Sequence, residues 1–219
     1  MNFNYQKARN LMVENQLRPN KIKNPVILNL FKETAKESFL PKEIESVPYS
    51  DLDIEITKNR GYLKNLHIAQ LINYSDIDLN HKVLHIGALT GYVTTILSKM
   101  CLKVSAIEVN TDLKLKLINN INIHNLNNIE IIEGSFKDGA KKEIIFDRIL
   151  IDTPIKKIND NILKQLSEEN GKIIMIKKVN NNLSQAIKIT KNKDRLSTEY
   201  LFDVFSKYEL YEDKKGFEF

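Results

Sequence analysis

The pattern of hydrophobic and polar positions changes near residue 75 of this chain. Before that point, apolar residues recur at the three- and four-residue spacing of amphipathic helices. The predicted helices cover residues 7–18, 26–35 and 65–74. Asn24 and Pro25 have the order of a helix cap followed by a proline in the first turn, whereas residues 46–57 show no regular pattern and are predicted to be irregular.

Beyond residue 75, short apolar runs typical of strands alternate with helical spacing. The predicted strands cover residues 82–87, 103–109, 129–134, 146–152 and 172–179, and the predicted helices cover residues 91–100, 111–125 and 159–170. Strands separated by helices pair in parallel, because a parallel connection needs a crossover long enough for a helix. Residues 183–192 and 197–206 have the pattern of two strands without a helix between them, which predicts an antiparallel hairpin at one edge.

The two regions predict an α/β fold with an appendage. Residues 75–219 are expected to form a doubly wound, Rossmann-like domain with a mostly parallel sheet and an antiparallel C-terminal hairpin. Residues 1–74 are expected to form a helical N-terminal extension on the substrate side of that domain.

The composition predicts a soluble, globular protein. Of 219 residues, 42% are hydrophobic and 28% are charged, and no apolar run is long enough to cross a bilayer. The first ten residues lack the apolar core of a signal peptide, and the single cysteine, Cys101, can form no internal disulfide. These features predict a cytoplasmic protein without a membrane partner.

The charged residues do not indicate a particular binding partner. The net charge is 33 − 28 = +5 and the isoelectric point is about 9.0. The lysines are spread along the chain rather than gathered in a stripe, so we expect a solvated surface and no nucleic-acid partner. The four histidines, His67, His81, His85 and His124, lack metal-ligand spacing on a common helix, which argues against a metal site.

The stretch VLHIGALTGYVTTIL, residues 83–97, carries the candidate chemistry. Gly87 follows a predicted strand and allows a tight turn, and Gly91 opens the following helix. Glu108 ends the next strand, 21 residues after Gly87, where an acid can accept hydrogen bonds from both ribose hydroxyls of an adenosine cofactor. Each residue alone fits an ordinary turn or strand end. Together, at this spacing in a strand–helix–strand unit, they predict a cofactor site.

The G-A-L-T-G spacing of this loop resembles that of S-adenosylmethionine-dependent methyltransferases. Other stretches resemble blocks of the protein-L-isoaspartate O-methyltransferase family, particularly a divergent bacterial branch. They are ARNLMVENQLRPNKIKNPVILNLFKETAKESFLP, PYSD, IIEGSFKDG, FDRILIDTPI and the C-terminal FDVFSKYELYEDKKGFEF. The resemblance covers nearly the whole chain.

The resemblance implies transfer of a methyl group from S-adenosylmethionine to the side-chain carboxylate of an isoaspartyl residue in a protein or peptide, which allows repair of a damaged backbone. It implies cofactor contacts from the glycine loop, the next strand end and the loop that flanks the adenine: His85, Gly87, Ala88, Leu89, Gly91, Glu108, Gly134 and Ser135. It places Asp152 near the reacting centre, with a polar strand end or cap as the alternative role of this residue.

Three departures from the family pattern keep other functions open. His85 stands where the family usually has an acid that helps to bind the cofactor's amino group, and Leu89 stands in place of a glycine. The segment that usually carries a hydroxyl for the substrate has no serine or threonine between Lys58 and Ala69. The alternatives are a methyltransferase-fold protein that binds without catalysing, and a methyltransferase with a different acceptor.

The stretch DTPI, residues 152–155, also invites comparison with the D-P-P-Y element of methyltransferases that act on adenine. Thr153 replaces the first proline, and Ile155 replaces the aromatic residue that would stack on the base. Because stacking supplies much of the hold on a flipped base, the comparison does not favour an adenine substrate.

Overall fold

A computed structural model describes the chain over residues 4–44, 48–141, 143–181 and 183–210. Its strands are β1 (Ile54–Thr57), β2 (Arg60–Tyr62), β3 (Lys82–Ile86), β4 (Lys103–Ile107), β5 (Ile129–Ile131), β6 (Gly134–Ser135), β7 (Gly139–Ala140), β8 (Arg148–Ile155), β9 (Gly171–Lys178), β10 (Ser184–Asn192) and β11 (Arg195–Val204). Its α-helices are α1 (Tyr5–Met12), α2 (Pro25–Glu33), α3 (Asn65–Ser75), α4 (Tyr92–Ser98), α5 (Thr111–Ile123) and α6 (Asp160–Lys164). A π-helical turn (Val13–Leu17) follows α1, and 3₁₀ turns cover Lys36–Phe39 and Lys42–Ile44.

The main sheet has seven strands in the order β11-β10-β9-β8-β3-β4-β5. Strands β9, β8, β3, β4 and β5 run parallel, whereas β10 is antiparallel to both of its neighbours. The predicted doubly wound fold with an antiparallel C-terminal hairpin is therefore confirmed. The strand order reverses between β3 and β8, and ligands of open α/β sheets bind beyond the carboxyl ends of the strands at such a point.

The N-terminal helices share an apolar core with one face of the sheet. Met12, Leu17 and Phe31 are buried in the same cluster as Val83 of β3 and Ile96 of α4. Full burial of each such side chain contributes about 1.5–3 kcal/mol relative to exposure. The segments before the sheet are thus packed tightly enough to position side chains at its carboxyl edge.

The start of α2 confirms the predicted cap. Asn24 Oδ1 accepts hydrogen bonds from the backbone N–H groups of Val26 (2.9 Å) and Ile27 (3.4 Å), and Pro25 occupies the first helical position. These bonds satisfy donors that the start of a helix leaves unpaired.

The prediction of irregular structure is wrong for residues 54–57, because β1 pairs there with β2 in an antiparallel hairpin, whereas residues 48–53 contain no helix or strand. Residues 46 and 47 of the predicted irregular stretch lie outside the described residues. Asn59 turns the hairpin with a φ of 62°, a conformation that asparagine tolerates better than most residues. Strands of three and four residues are too short to show periodicity, so the sequence pattern does not reveal them.

The helix predicted over residues 159–170 is too long, since α6 covers only Asp160–Lys164. Beyond α6 the chain pairs with Phe146, whose N–H donates to Gln165 O (2.8 Å) and whose carbonyl accepts from Ser167 N (2.9 Å). These bonds use backbone groups that further helical turns would need.

Arg148, at the start of β8, ties the end of α3 to the sheet. Its buried side chain donates to the backbone oxygens of Ser75 (2.8 Å), Asp76 (3.3 Å) and Asn170 (3.1 Å). Carbonyls at the end of a helix have no partners within the helix, so the guanidinium satisfies acceptors that would otherwise be buried unpaired.

Replacing this guanidinium should destabilise the fold. We expect Arg148→Met to lower the free energy of unfolding by about 2–4 kcal/mol, because several carbonyl groups lose a charged donor. Urea denaturation followed by circular dichroism measures the change. Arg195→Met, at an exposed position of β11, is the control and should change the value by less than about 0.5 kcal/mol. Equal effects of the two variants would contradict this role of Arg148.

Candidate functional site

The loop between β3 and α4 has the backbone conformation that its glycines allow. Gly87 and Gly91 have φ angles of 87° and 101°, which L side chains rarely adopt. A Cβ atom at Gly91 would lie 2.8 Å from Leu117 Cδ1, so this glycine also permits close packing of α5. Leu89 adopts a φ of 52°, and its backbone is therefore strained for a residue with a side chain.

The N–H groups of this loop bond to the protein itself. Gly87 N and Ala88 N both donate to the carbonyl of Ile107 at the end of β4, over 2.9 and 3.2 Å. Leu89 N donates to Glu108 Oε2 (2.9 Å), and Gly91 N donates to Ala88 O (3.0 Å). Four of the five backbone donors of residues 87–91 thus already have partners within the protein.

Glu108 lies at the predicted position after β4, with its carboxylate directed at the loop. Besides Leu89 N, it accepts a bond from Asn110 N at Oε1 (3.0 Å). Arg60 of β2 binds both oxygens: Nη2 lies 2.8 Å from Oε2 and Nη1 lies 3.3 Å from Oε1. The side chain of Glu108 is 0% exposed and that of Arg60 is 10% exposed, so the ion pair is buried.

Two side chains lie against Gly87, and a third packs on one of them. An added Cβ at Gly87 would lie 3.0 Å from Leu210 Cδ2 and 3.7 Å from Arg60 Nη2. The ring of Phe136 stacks on the guanidinium of Arg60, with 4.9 Å between the guanidinium carbon and the ring centroid. Leu210 and Arg60 therefore lie against the glycine loop, and Phe136 packs on Arg60.

His85 and Asp152 come together in adjacent strands at the point where the strand order reverses. His85 Nε2 lies 3.4 Å from Asp152 Oδ1, and His85 Nδ1 lies 2.9 Å from Thr94 Oγ1. Both residues are buried, and neither His85 Nε2 nor Asp152 Oδ1 has a hydrogen-bond partner among the residues that the structure describes. Asp152 lies within β8, which continues to Ile155, rather than at its end.

The remaining predicted residues have local partners. Leu89 packs in the main apolar core, and Ala88 packs in a small cluster with Leu117. Ser135 Oγ accepts from Asp138 N (2.8 Å), next to Gly134 in the β6–β7 hairpin. Leu89 thus turns its side chain into the protein.

The segment that has no serine or threonine carries a hydroxyl group on Tyr62, and this hydroxyl bonds within the protein. Tyr62 OH lies 2.8 Å from Thr90 Oγ1 and accepts a bond from Tyr92 N (3.1 Å). Thr90 in turn donates to Phe39 O (2.6 Å). All of these groups are buried, so this hydroxyl network anchors the glycine loop to the N-terminal region.

Lys36 is fully buried beside the same tyrosines. Its Nζ donates to Asn65 Oδ1 (3.0 Å) and Leu63 O (3.4 Å), and lies 5.6 and 5.4 Å from the ring centroids of Tyr62 and Tyr92. Loss of hydration lowers the pKa of Lys36 from its ordinary 10.5 to about 7, against the raising effect of the Asp53 charge.

Three further observations concern membrane-spanning helices, metal-ligand clusters and the cysteine of the described part of the chain. No helix there is long and apolar enough to span a bilayer, and no group of three His, Cys, Asp or Glu side chains there could hold a metal ion. Cys101 is buried, and burial raises the pKa of its thiol to about 12. Since the thiolate is the reactive form, this cysteine is a poor nucleophile near neutral pH.

The sheet order and the glycine loop define a Rossmann-like methyltransferase fold. Residues 7–205 match the family described as protein-L-isoaspartate(D-aspartate) O-methyltransferase, and the chain belongs to that family. Family membership confirms the resemblance seen in the sequence, and with it S-adenosylmethionine as the methyl donor of the family.

Individual relatives agree with this assignment. A protein-L-isoaspartate O-methyltransferase of Petrotoga mobilis is 28% identical over 200 residues, which cover 90% of this chain and 93% of that protein. One of Syntrophotalea carbinolica is 25% identical over 92% of each chain. A solved protein-L-isoaspartate O-methyltransferase superposes with a TM-score of 0.79 over 93% of this chain and 65% of its own length. At 18% identity that structure shows the shared fold.

In this structure, residues expected to contact S-adenosylmethionine already have partners within the protein. Both oxygens of Glu108, the residue placed on the ribose, are bound by Arg60. Gly87, another residue expected to contact the cofactor, has Leu210 packed against it. Two of the expected cofactor contacts are thus engaged by groups of the protein itself.

Sequence reasoning does not identify Arg60, Phe136 or Leu210 as residues of this site. One signal was present, because Arg60 lies in NRGYLKNLHIA, the segment that departs from the family's hydroxyl-bearing run. This signal marks the segment as unusual, but it does not indicate that Arg60 reaches Glu108.

The buried lysine predicts a pH dependence of stability. Between about pH 7 and 10.5 the unfolded chain binds more protons at Lys36 than the folded chain, so this residue makes the free energy of unfolding rise with pH. Relative to Lys36→Met, the wild type should gain about 2 kcal/mol between pH 7 and 9. Guanidinium denaturation at several pH values measures this difference. Lys23→Met, at an exposed position, should follow the wild type, and parallel profiles for wild type and Lys36→Met would disprove the effect.

Proposed function

We propose that this protein transfers a methyl group from S-adenosylmethionine to the side-chain carboxylate of isoaspartyl residues in damaged proteins. The match of residues 7–205 to the isoaspartate methyltransferase family carries this proposal. It is supported by the glycine loop at the strand reversal and by Glu108 after β4, whose carboxylate contacts that loop.

Methyl transfer to a carboxylate requires few catalytic groups on the acceptor side of the site. A carboxylate is already ionised near neutral pH, so no general base is needed to activate it. Orientation of the reactants and exclusion of water provide most of the rate enhancement in such a transfer. The absence of serine and threonine between Lys58 and Ala69 therefore does not exclude the reaction.

The proposal assigns separate tasks to the two regions of the chain. Residues 75–219 provide the cofactor side, and residues 1–74 provide the substrate side, where the acceptor is a protein or peptide rather than a nucleic acid or a membrane. The composition of the chain supports a cytoplasmic location for this reaction.

The buried Arg60–Glu108 pair favours a second candidate function. A member of this family that binds partners without methylating them would have no need to keep Glu108 available, and here both carboxylate oxygens are engaged. The two candidates differ in one measurable property, which is methyl transfer to an isoaspartyl peptide.

Methyl transfer is tested with labelled S-adenosylmethionine and two peptides that differ only in carrying isoaspartate or aspartate. We expect labelling of the isoaspartyl peptide, and a fall in kcat/KM of about 10- to 100-fold in Glu108→Gln, because a charged acceptor for the cofactor is lost. Glu169→Gln, an exposed position, is the matched control and should retain activity. Equal labelling of both peptides would reject this function.

A further inference from the structure

We propose that Arg60, Phe136 and Leu210 form an internal plug of the cofactor crevice, in which the guanidinium of Arg60 holds Glu108 in place of the ribose hydroxyls. S-adenosylmethionine then enters only after Arg60 leaves Glu108 and Leu210 leaves Gly87. The inference rests on the proposed function and adds a regulatory step to the same site.

The geometry of the Arg60–Glu108 ion pair makes Arg60 a strong competitor of ribose hydroxyls for the carboxylate. Arg60 makes a two-point contact with the carboxylate, at 2.8 and 3.3 Å, and the planar fork of arginine suits both oxygens at once. Counted over the whole residue, Arg60 is 8% exposed and Glu108 is 4% exposed, so little solvent screens the attraction between the two charges. Neutral ribose hydroxyls must displace a full positive charge from this acid.

The C-terminal segment holds the hairpin that carries Arg60. Residues 207–210, called the strap here, run beside β2, and an added Cβ at Gly61 would lie 2.7 Å from the ring of Tyr208. Glu209 N donates to Asn59 O at the hairpin turn, over 3.2 Å. The hairpin is therefore held against the crevice by backbone and aromatic contacts.

The strap is also fastened to the sheet. Leu210 N donates to Pro154 O in β8 (3.0 Å), and the carboxylate of Glu209 pairs with Lys178 of β9. The β1–β2 hairpin thus contacts the strap, and the strap contacts β8 and β9 of the main sheet. Movement of Arg60 away from Glu108 requires these contacts to break or the hairpin to shift relative to the strap.

The outer side of the plug faces an open cavity. Phe136 and Leu210 both line a cavity of about 340 Å³, with Lys156 and Lys157 at its wall. Leu210 thus contacts the glycine loop on one side and the cavity on the other. Withdrawal of Leu210 and Arg60 would connect the glycine loop with this cavity, which gives the cofactor an entry path.

The plug has a quantitative consequence for affinity. A ligand that binds only the open form has an apparent dissociation constant equal to its intrinsic value divided by the open fraction. If the open form makes up about a tenth of the molecules or less, removing the plug strengthens binding about 10-fold or more. Arg60→Ala removes the cation from Glu108 and leaves the carboxylate with its two backbone donors, while Leu210→Ala opens the space over Gly87 and keeps the ion pair.

The test is calorimetric titration of the full chain with S-adenosylhomocysteine, the demethylated product. Arg9→Ala is the matched control, because Arg9 and Glu37 form another partly buried pair, 3.2 Å apart with 11% and 14% side-chain exposure. We expect Arg60→Ala and Leu210→Ala each to lower the dissociation constant by about 10-fold or more, and Arg9→Ala to leave it within about 2-fold. Arg60→Lys, which keeps the charge in a smaller head group, is the fallback if Arg60→Ala does not fold, and should show an intermediate gain.

Three results would overturn the inference, and the first two differ in what they say about the proposed function. Tight binding by the wild type that Arg60→Ala and Leu210→Ala leave unchanged or weaken would reject the plug and keep the methyltransferase function. No heat of binding at millimolar product in the wild type or any plug variant would reject both, because Arg60 and Leu210 would not be what excludes the ligand. A gain in Arg9→Ala equal to that in Arg60→Ala would assign the effect to general loosening and would also reject the plug.

Discussion

The buried ion pair between Arg60 and Glu108 is the interaction on which the arrangement of the site depends. It joins residues 48 positions apart, one on the β1–β2 hairpin and one at the carboxyl edge of the main sheet. Loss of either partner would leave an uncompensated charge in a buried place, which is far more costly than loss of an exposed pair. The hairpin and the glycine loop are therefore coupled through one carboxylate.

The position of Glu108 could be predicted from the sequence, whereas its partner could not. Parallel strands bring their carboxyl ends to one edge, so an acid 21 residues after Gly87 had to lie near the glycine loop. Nothing local places Arg60 there, because β2 has only three residues and reaches the crevice through tertiary packing. Long-range contacts of short elements leave no periodic signal in a sequence.

The errors in the predicted elements have the same origin. The helix expected over residues 159–170 has suitable local propensity, but after Lys164 the chain bonds to Phe146 and the tertiary contact prevails. Strands β3 and β4 were predictable because four of the five residues in each are buried, which gives a short and mostly apolar run in the sequence. Sequence patterns thus captured the scaffold of the site better than the groups that cover it.

The glycine loop shows why a sequence motif alone cannot establish that a cofactor binds. Gly87 and Gly91 are required by their positive φ angles, and Gly91 also by the approach of Leu117, whether or not a ligand is present. The N–H groups that a phosphate or a carboxylate would seek are bonded to Ile107 and Glu108 instead. A loop can therefore keep its glycines for reasons of backbone geometry while its function changes. What distinguishes a cofactor site from a structural turn is the partner of the acid, which in this protein is an arginine of the same chain.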